Sequence, residues 1–168
     1  MVKLKYYSAL EYKLKPEKPH SANVDIQCGE DFVLEQGIVL KVRTGLWIDV
    51  PPGYVFEIYP RSGLSAKYGM ILVNSPGQID PGYRDEIRLI LSSVSRMTVL
   101  TPKRFKAGER ICQGRLVQTQ KDVYLDTKKF PVTSYQDSAV WEPVLSLEDL
   151  YKDSLTPDRK GGLGSSGT

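Results

Sequence analysis

The sequence predicts an all-β domain, built either as a sandwich or as a barrel. Short runs of alternating or continuous apolar residues are separated by turns rich in Gly and Pro, and helix signals are rare. Short strands at close spacing, with such turns between them, are typical of these two architectures. With 168 residues, of which 40% are hydrophobic, the chain is long enough for one domain with a buried core.

Five runs have the composition and alternation of β-strands. The longest, residues 37–50, is rich in Ile, Val and Leu and is ended by Pro51, Pro52 and Gly53. The other predicted strands are residues 54–59, 70–73, 86–91 and 114–120.

Helix is predicted at two places only. Residues 65–68 have the length of about one turn. Residues 146–151 begin with Ser146 and Asp149 in the spacing of a helix cap. No internal repeat accompanies these elements, so the strands form one irregular domain rather than an array.

Charge and composition exclude several functions. The formal net charge is only +3, which is too small for a dedicated nucleic-acid-binding protein. His20 is the only histidine, and Cys28 and Cys112 are far apart, which excludes a structural zinc site and a redox motif. Two separate thiols suit a reducing compartment. No run has the length of a membrane span, and residues 1–18 lack the apolar core of a secretory signal, so we expect a soluble, cytoplasmic protein.

The C-terminal residues 157–168 differ in composition from the rest of the chain. They hold four Gly, two Ser and one Thr, and Leu163 is their only large apolar side chain. Such a segment predicts a flexible arm. A simple linker is the favoured interpretation on composition alone. The functional alternative is a flap that grips a phosphate, because Gly lets backbone N–H groups approach an anion closely.

The first candidate functional segment surrounds the first predicted helix. Ser62 is placed to cap the beginning of this helix and Gly69 to end it. The first N–H groups of such a helix, together with Arg61 and the Ser62 hydroxyl, would attract an anion. An ordinary capped turn with a surface arginine has the same pattern, and on these residues alone it is the favoured interpretation.

The second candidate segment is residues 74–86. Pro81 and Gly82 fit the central positions of a type II turn, which predicts a β-hairpin. Asp80 and Tyr83 flank this turn, and an Asp in a cleft can activate a water molecule. Asp is also common before Pro-Gly for reasons of turn geometry alone.

Two shorter segments carry polar residues in strand-like surroundings. Arg110 and Gln113 lie in residues 108–113, where a routine turn and strand start is the simpler interpretation. Asp25 lies in an apolar strand over residues 22–26. An inward Asp usually accepts hydrogen bonds from backbone N–H groups, and binding of a metal or a water is the less common alternative.

Taken in their order along the chain, the four segments and the Gly-rich arm resemble the five sequence motifs of the trimeric dUTPases. Residues 74–86 have the family's step of six residues from Asn74 to Asp80 and of three more to Tyr83. One such segment would be weak evidence, whereas five in order are strong evidence. The five segments are residues 22–26, 61–64, 74–86, 108–113 and 161–167.

The resemblance implies a jelly-roll-like β-sandwich that assembles as a homotrimer. The three active sites would lie between subunits, each closed by the C-terminal arm of a neighbour. The implied reaction is hydrolysis of dUTP to dUMP and pyrophosphate, which keeps uracil out of DNA and supplies dUMP for thymidylate synthesis. Mg²⁺ is the implied cofactor, held mainly by the phosphates, with Asp25 able to contact it through water. Direct binding of nucleic acid or of a membrane is not implied.

The resemblance also assigns roles to individual residues. Asp80 is implied to be the catalytic residue, because it would activate the water that attacks the α-phosphorus. Tyr83 would pack against the deoxyribose. The other implied substrate-binding residues are Arg61, Ser62, Gly63, Asn74, Gly77, Ile79, Gln113, Arg159, Leu163, Gly164, Ser165 and Ser166.

Several positions depart from the family pattern. Leu163 replaces a Phe that covers the base. The arginine of the arm is one position late, at Arg159, so either this residue or Lys160 would meet the γ-phosphate. Three small residues of the family are replaced by Asn23, Asp85 and Cys112.

The chain between Gln113 and Arg159 is longer than the family pattern. This extra length predicts an insertion around residues 124–155, with Tyr135 and Trp141 as packing anchors. The expected organisation is therefore a β-domain over residues 1–156, including that insertion, followed by the arm over residues 157–168.

Related activities provide the alternatives. The dCTP deaminases share the fold and a segment like residues 79–82, but Ile90 occupies the place of their catalytic Glu, which argues against deamination. Gln78 and Asp85 lie in the base-reading segment, so hydrolysis of dCTP, or of both nucleotides, is a second possibility. A nucleotide-binding regulator without catalysis is a third, motivated by the atypical arm and the insertion.

Overall fold

The structure is a computed structural model, and it describes residues 2–16, 21–95, 102–119 and 139–158. Strands dominate these residues, as the sequence predicts. In chain order the elements are β1 (Val2–Ser8), β2 (Val24–Gln27), β3 (Phe32–Leu34), β4 (Leu40–Arg43), β5 (Leu46–Asp49), β6 (Tyr54–Pro60), α1 (Ser62–Tyr68), β7 (Met70–Leu72), β8 (Gly77–Ile79), β9 (Arg88–Ser93), β10 (Lys103–Phe105), β11 (Arg110–Gln118), β12 (Ala139–Pro143) and α2 (Leu147–Tyr151).

The described strands form four small sheets around one apolar core. Their orders are β2-β11-β6-β8, β4-β9-β7, β12-β1-β5 and β10-β3. None of these sheets, as far as the described strands go, closes on itself, so a sandwich rather than a closed barrel describes the architecture. The largest side chains of the core include Phe56, Leu89 and Phe105, which are at most 1% exposed. Removing such apolar surface from water is the main stabilising contribution to a domain of this kind.

The longest predicted strand, residues 37–50, forms two strands instead of one. The break falls at Gly45, whose φ of 65° lies in the left-handed region that favours glycine. The buried Glu86 side chain stabilises this break, because its Oε1 accepts the Gly45 N–H at 2.7 Å and its Oε2 accepts from Arg43 Nε at 2.9 Å. Glu86 therefore stabilises the turn between β4 and β5 and is not part of a strand. The strand predicted over residues 86–91 begins at Arg88 instead.

Strands β1 and β12 were not predicted. In β1 the apolar Leu4 and Tyr6 are buried and alternate with exposed or half-buried lysines, which is a strand pattern in a lysine-rich segment. Strand β1 pairs with β5 on one side and with β12, in parallel, on the other. Trp141 of β12 packs edge-on against Phe56 with ring centroids 6.0 Å apart, which confirms it as a packing anchor.

The predicted insertion contains β12 and α2 and also residues that lie outside the described part, Tyr135 among them. Helix α2 begins as predicted, because Ser146 Oγ accepts the Asp149 N–H at 3.1 Å. The insertion itself and the boundary between residues 156 and 157 stay predictions.

Two local predictions were wrong. Arg61, not Ser62, is the N-cap residue of α1, and no side chain caps this helix. The segment around Pro81 and Gly82 is a turn but not a hairpin, because β8 pairs with β6 whereas β9 pairs with β4 and β7 in another sheet. The residue types at a turn can be recognised in the sequence, but the partners of a strand are set by contacts between distant segments.

The turn type and the helix stop are confirmed. Gly82 has a φ of 84°, and the Tyr83 N–H donates to the Asp80 carbonyl at 3.2 Å, as in a type II turn. Gly69 ends α1 with a φ of 59°. A Cβ at Gly69 would lie 2.4 Å from the Ser95 nitrogen, so no larger residue fits there without backbone movement.

The core contains a thiol that makes stability depend on pH. Burial raises the pKa of Cys112 from its ordinary value of 9.0 to about 12. The folded state therefore holds a proton that the unfolded state releases, and stability falls as pH rises from about 9 towards 12.

Because of this thiol, we expect the free energy of unfolding to be about 1.4 kcal/mol lower at pH 10 than at pH 8. The Cys112→Ala variant should lose correspondingly less over that interval, which denaturant unfolding at the two pH values can measure. Cys28, also a buried free thiol, is present in both proteins and cancels in the comparison. Equal losses in the two proteins would contradict this assignment.

Candidate active site

The centre of the candidate site is an ion-pair cluster, here called the arginine pocket, formed by Asp25, Arg61 and Arg110. Arg61 Nε lies 3.1 Å from Asp25 Oδ1, and Arg110 Nη1 lies 3.0 Å from Asp25 Oδ2. Arg61 also donates from Nη1 to the Arg110 carbonyl at 2.9 Å. Two guanidinium groups around one carboxylate leave a net positive charge, which suits an anionic ligand.

A β-bulge explains how Arg110 reaches this pocket. In the pairing of β11 with β2, Cys112 faces Ile26, but Arg110 faces Gln27, so β11 carries one extra residue, Ile111. Beyond such an extra residue, the side chains lie on the opposite face of the strand from the one that simple alternation would give them. Ile111 and Cys112 are both buried, and Arg110 is left on the outer face with Asp25.

Two cavities adjoin the arginine pocket. The smaller, of about 280 Å³, is lined by Ser21, Asn23, Asp25, Arg61, Ser62, Gly63, Leu64 and Gln113. The larger, of about 510 Å³, is lined by Asn23, Tyr59, Pro60, Ser62, Ser65, Ser75, Gln113 and Arg115. Gln113 is held in place because its Nε2 donates to the Pro60 carbonyl at 3.0 Å. Guanidinium, hydroxyl and amide groups thus converge on a space that could receive a phosphate chain.

The Asp80 turn, residues 80–83, forms the second part of the candidate site. The Tyr83 hydroxyl donates to the Glu86 carbonyl at 3.2 Å, which fixes the ring beside the turn. Burial, with a smaller contribution from the charge of Asp85, raises the pKa of Tyr83, so this phenol stays protonated. Asp80 is partly exposed and able to meet a ligand.

Within one chain the Asp80 turn lies away from the arginine pocket. In the pairing of β8 with β6, Ile79 faces Phe56 and Gly77 faces Ile58. Asp80 therefore continues towards the start of β6, whereas Arg61 follows its end. Phe56 and Arg61 are five positions apart on an extended strand, which corresponds to about 16 Å.

The sequence-predicted site residues thus fall into three groups. Asp25, Arg61, Ser62, Gly63 and Gln113 come together at the smaller cavity. Asn74, Gly77, Ile79, Asp80 and Tyr83 belong to β8 and its flanking turns, and Ser75 brings the beginning of that segment to the larger cavity. Outside the described residues lie Arg159, Leu163, Gly164, Ser165 and Ser166.

Arg84, which sequence reasoning missed, connects the Asp80 turn to the end of the described chain. Its Nη1 donates to Asp49 Oδ1 at 2.8 Å, and its Nη2 donates to Ser154 Oγ at 2.7 Å and to the Thr156 carbonyl at 2.6 Å. The guanidinium also lies over the Tyr151 ring, 4.1 Å from its centroid. No local signal reveals this contact, because the partners come from distant parts of the sequence.

The described residues contain no group of three or more His, Cys, Asp or Glu side chains that could enclose a metal ion. Among them no helix has the length and apolarity needed to cross a membrane. A divalent cation at the arginine pocket would therefore have to take most of its ligands from a phosphate-bearing molecule.

The fold and the two parts of the site define a class of protein: an all-β protein with a positively charged pocket suited to an anionic ligand and a partly exposed carboxylate on a separate turn. Comparison with known proteins makes this more specific. Residues 12–137 match the model of the dUTPase family. The chain therefore belongs to the dUTPase family.

Individual relatives agree with this assignment. A deoxyuridine 5'-triphosphate nucleotidohydrolase of Solibacter usitatus is 42% identical over 146 residues, which cover 87% of this chain and 80% of the relative. The enzyme of that name from Cutibacterium acnes is 36% identical over 149 residues, or 89% of this chain and 81% of the relative.

Solved structures support the fold. The dUTPase of Streptococcus mutans has a TM-score of 0.61 and 24% identity, with 71% of this chain and 99% of that chain covered. A mutant of the dUTPase of Staphylococcus bacteriophage 80alpha, in a structure with dUpNHpp, also has a TM-score of 0.61 and 24% identity. The match covers 80% of this chain and 95% of that chain. The architecture is therefore the jelly-roll β fold of the dUTPases.

Proposed function

We propose that this protein hydrolyses dUTP to dUMP and pyrophosphate, and so keeps uracil out of DNA and supplies dUMP for thymidylate synthesis. The observation that carries the proposal is the arginine pocket, where three of the predicted motifs supply side chains to one cavity in a chain of the dUTPase family. The buried free thiols of Cys28 and Cys112 support a reducing, cytoplasmic location.

Asp80 is the proposed general base. Its carboxylate accepts a proton from a water molecule whose oxygen attacks the α-phosphorus, and the bond from the α-phosphorus to the bridging oxygen of the leaving pyrophosphate breaks. Tyr83 packs on the deoxyribose, and a ring fixed by its hydrogen bond to Glu86 leaves little room for a 2′-hydroxyl. No covalent enzyme intermediate is needed.

Strand β8 is the proposed reader of the base. It is one of the two edge strands of its sheet, and among the described strands β6 is its only partner. The backbone N–H and C=O groups on the outer edge of Gly77–Ile79 can therefore pair with the amide edge of uracil, with Asn74 beside them. A rigid backbone edge also rejects an added methyl group, as in thymine, through steric conflict.

The phosphates are proposed to bind at Arg61, Ser62, Gly63 and Gln113. Mg²⁺ would neutralise phosphate charge and would be held mainly by phosphate oxygens, with the Asp25 carboxylate contacting it through water. This arrangement fits a pocket in which both Asp25 oxygens already pair with arginines. A related dUTPase from phage phi11 of S. aureus is described with a structural Mg(II) ion.

A homotrimer with shared active sites is proposed because one chain separates the Asp80 turn from the arginine pocket. In a closed ring, the Asp80 turn of one subunit can face the pocket of the next. The C-terminal arm, residues 157–168, would close the site through Leu163, Gly164, Ser165 and Ser166, with Arg159 or Lys160 at the γ-phosphate.

Shared sites predict that two inactive variants restore activity in mixed trimers. Asp80→Asn and Arg61→Ala subunits, denatured together at equal amounts and refolded, should recover about one quarter of wild-type turnover, because random assembly leaves about one site in four with both groups intact. Each variant refolded alone is the control. Turnover no greater than that of the separate variants would show that one chain supplies both groups.

The test of the proposed function is incubation of the purified protein with Mg²⁺ and dUTP, dCTP, dTTP or UTP in parallel. Release of dUMP and pyrophosphate from dUTP alone supports both the reaction and the reading of the base. Comparable turnover of dCTP would favour dual specificity, which the exposed Gln78 on β8 makes the second candidate. Binding of dUTP without pyrophosphate release would favour a regulator without catalysis.

A further inference from the structure

Asn23 occupies a place in the site that the function described so far does not use. It lines both cavities beside the arginine pocket, together with Ser62 and Gln113. Its side-chain oxygen, Oδ1, is covered by protein and has no hydrogen-bond partner among the described residues. A buried carboxamide oxygen without a hydrogen-bond donor is unfavourable, so the presence of Asn at this position calls for an explanation.

The Asn23 side chain lies on the same face of the sheet as Asp25. In β2, Val24 and Ile26 are buried, whereas Asp25 is on the opposite, outer face with Gln113 opposite it. Asn23 lies just before β2 and lines the smaller cavity together with Asp25, so its side chain is on that face. The carboxamide is therefore next to the carboxylate that holds the two arginines.

The chemistry of the carboxamide then indicates its role. With Oδ1 covered by protein, the group that Asn23 can offer to the cavities is its NH₂, which has two donors. Phosphate oxygens are acceptors only, and a neutral donor can approach them without disturbing the ion pairs of Asp25. Nothing in the packing of β2 requires an amide here, because Val24 and Ile26 already anchor the strand in the core.

We propose that Asn23 is a further substrate-binding residue, whose NH₂ group donates to a phosphate oxygen where the two cavities meet. The inference rests on the proposed function for the identity of the phosphate chain, but not for the contact itself. It makes the first motif of this chain a direct contributor to phosphate binding, whereas Asp25 acts through the arginines and, by way of water, through Mg²⁺.

The test is the affinity of the full-length protein for the non-hydrolysable analogue dUpNHpp and for inorganic tripolyphosphate, measured by calorimetry with Mg²⁺. Asn23→Ala should weaken the binding of both by about ten-fold, the usual scale for one hydrogen bond to a charged group. The KM for dUTP should rise by a similar factor while kcat changes less than two-fold. Thermal stability should be unchanged or higher, because an unpartnered buried oxygen is removed.

Two further variants separate the hydrogen bond from packing. Asn23→Asp keeps the shape but replaces the donor with a negative charge, so it should bind at least as weakly as Asn23→Ala; affinity kept by Asn23→Asp would overturn the proposal. Gln118→Ala removes a carboxamide at the far end of β11, outside both cavities, and should leave both affinities unchanged.

The outcomes also separate this inference from the proposed function. If the wild-type protein does not hydrolyse dUTP, the proposed function fails, and the tripolyphosphate titrations still decide the role of Asn23. Weaker tripolyphosphate binding by Asn23→Ala supports the contact whatever the nucleotide. Unchanged binding of both probes by Asn23→Ala rejects it.

Discussion

The Asp80→Asn variant is expected to lose about 10²–10⁴-fold in turnover of dUTP, the usual scale for removal of a general base. The amide has the shape of the carboxylate but cannot take the proton of the attacking water. Binding of dUpNHpp should change by less than about three-fold, because the variant leaves the proposed phosphate contacts at Arg61 and Gln113 in place. Steady-state kinetics and calorimetry measure the two effects separately.

A suitable control for this variant is Asp153→Asn. It removes a carboxylate that is 77% exposed and pairs with Lys5 at 3.6 Å rather than with a residue of the Asp80 turn. Its turnover should match the wild type, since exposed ion pairs contribute little. Near-normal turnover in Asp80→Asn would remove Asp80 from the mechanism, and a matching loss of analogue binding would make its role one of binding rather than catalysis.

Deletion of residues 161–168 is expected to reduce dUTP turnover by at least about 10²-fold while the proposed homotrimer persists. Closure of an arm over the nucleotide excludes bulk water and aligns the attack, and these contributions disappear with the arm. The deletion begins after every residue that the structure describes, so the packed core is retained. Light scattering and pyrophosphate release report the two properties.

The matched control for the deletion is a chain in which residues 161–168 are present in scrambled order. A sequence-specific flap predicts that the scrambled arm is as inactive as the deletion. If the scrambled arm restores turnover, the length of the arm matters rather than its motif. If the variant that lacks residues 161–168 hydrolyses dUTP at the wild-type rate, the arm has no part in catalysis. The interpretation of residues 157–168 as a linker is then correct.

Much of the fold was predictable because strand composition and turn chemistry are local properties. The runs at residues 54–59 and 70–73 became β6 and β7, and the stop at Gly69 has the expected backbone conformation. The errors concern properties set at a distance. The hairpin expected at Pro81 does not form, because β9 pairs with β4 and β7 in another sheet. Strand β1 is difficult to recognise in the sequence, because lysines on its outer face alternate with its buried apolar residues.

The candidate site could be predicted only through the resemblance to the dUTPase motifs, because each segment taken alone favours an ordinary turn or strand. The motif residues Arg61, Ser62 and Gln113 do line one cavity. The pairing of Asp25 with Arg110 depends on a bulge, which alternation along a strand cannot show. The contact of Arg84 with the C-terminal segment is equally invisible, since it joins residues 70 positions apart.

Strand β1 lies in the middle of its sheet, and this has a consequence for how the chain is made. Val2 pairs with Ala139, so β1 is synthesised long before the strand that covers one of its edges. Closing so long a loop is entropically costly and slow. During synthesis the open edge of β1 can pair with the same strand of another copy. We therefore expect newly made chains to be most prone to self-association before residues 139–143 emerge, and a chain truncated ahead of β12 to aggregate where the full chain does not.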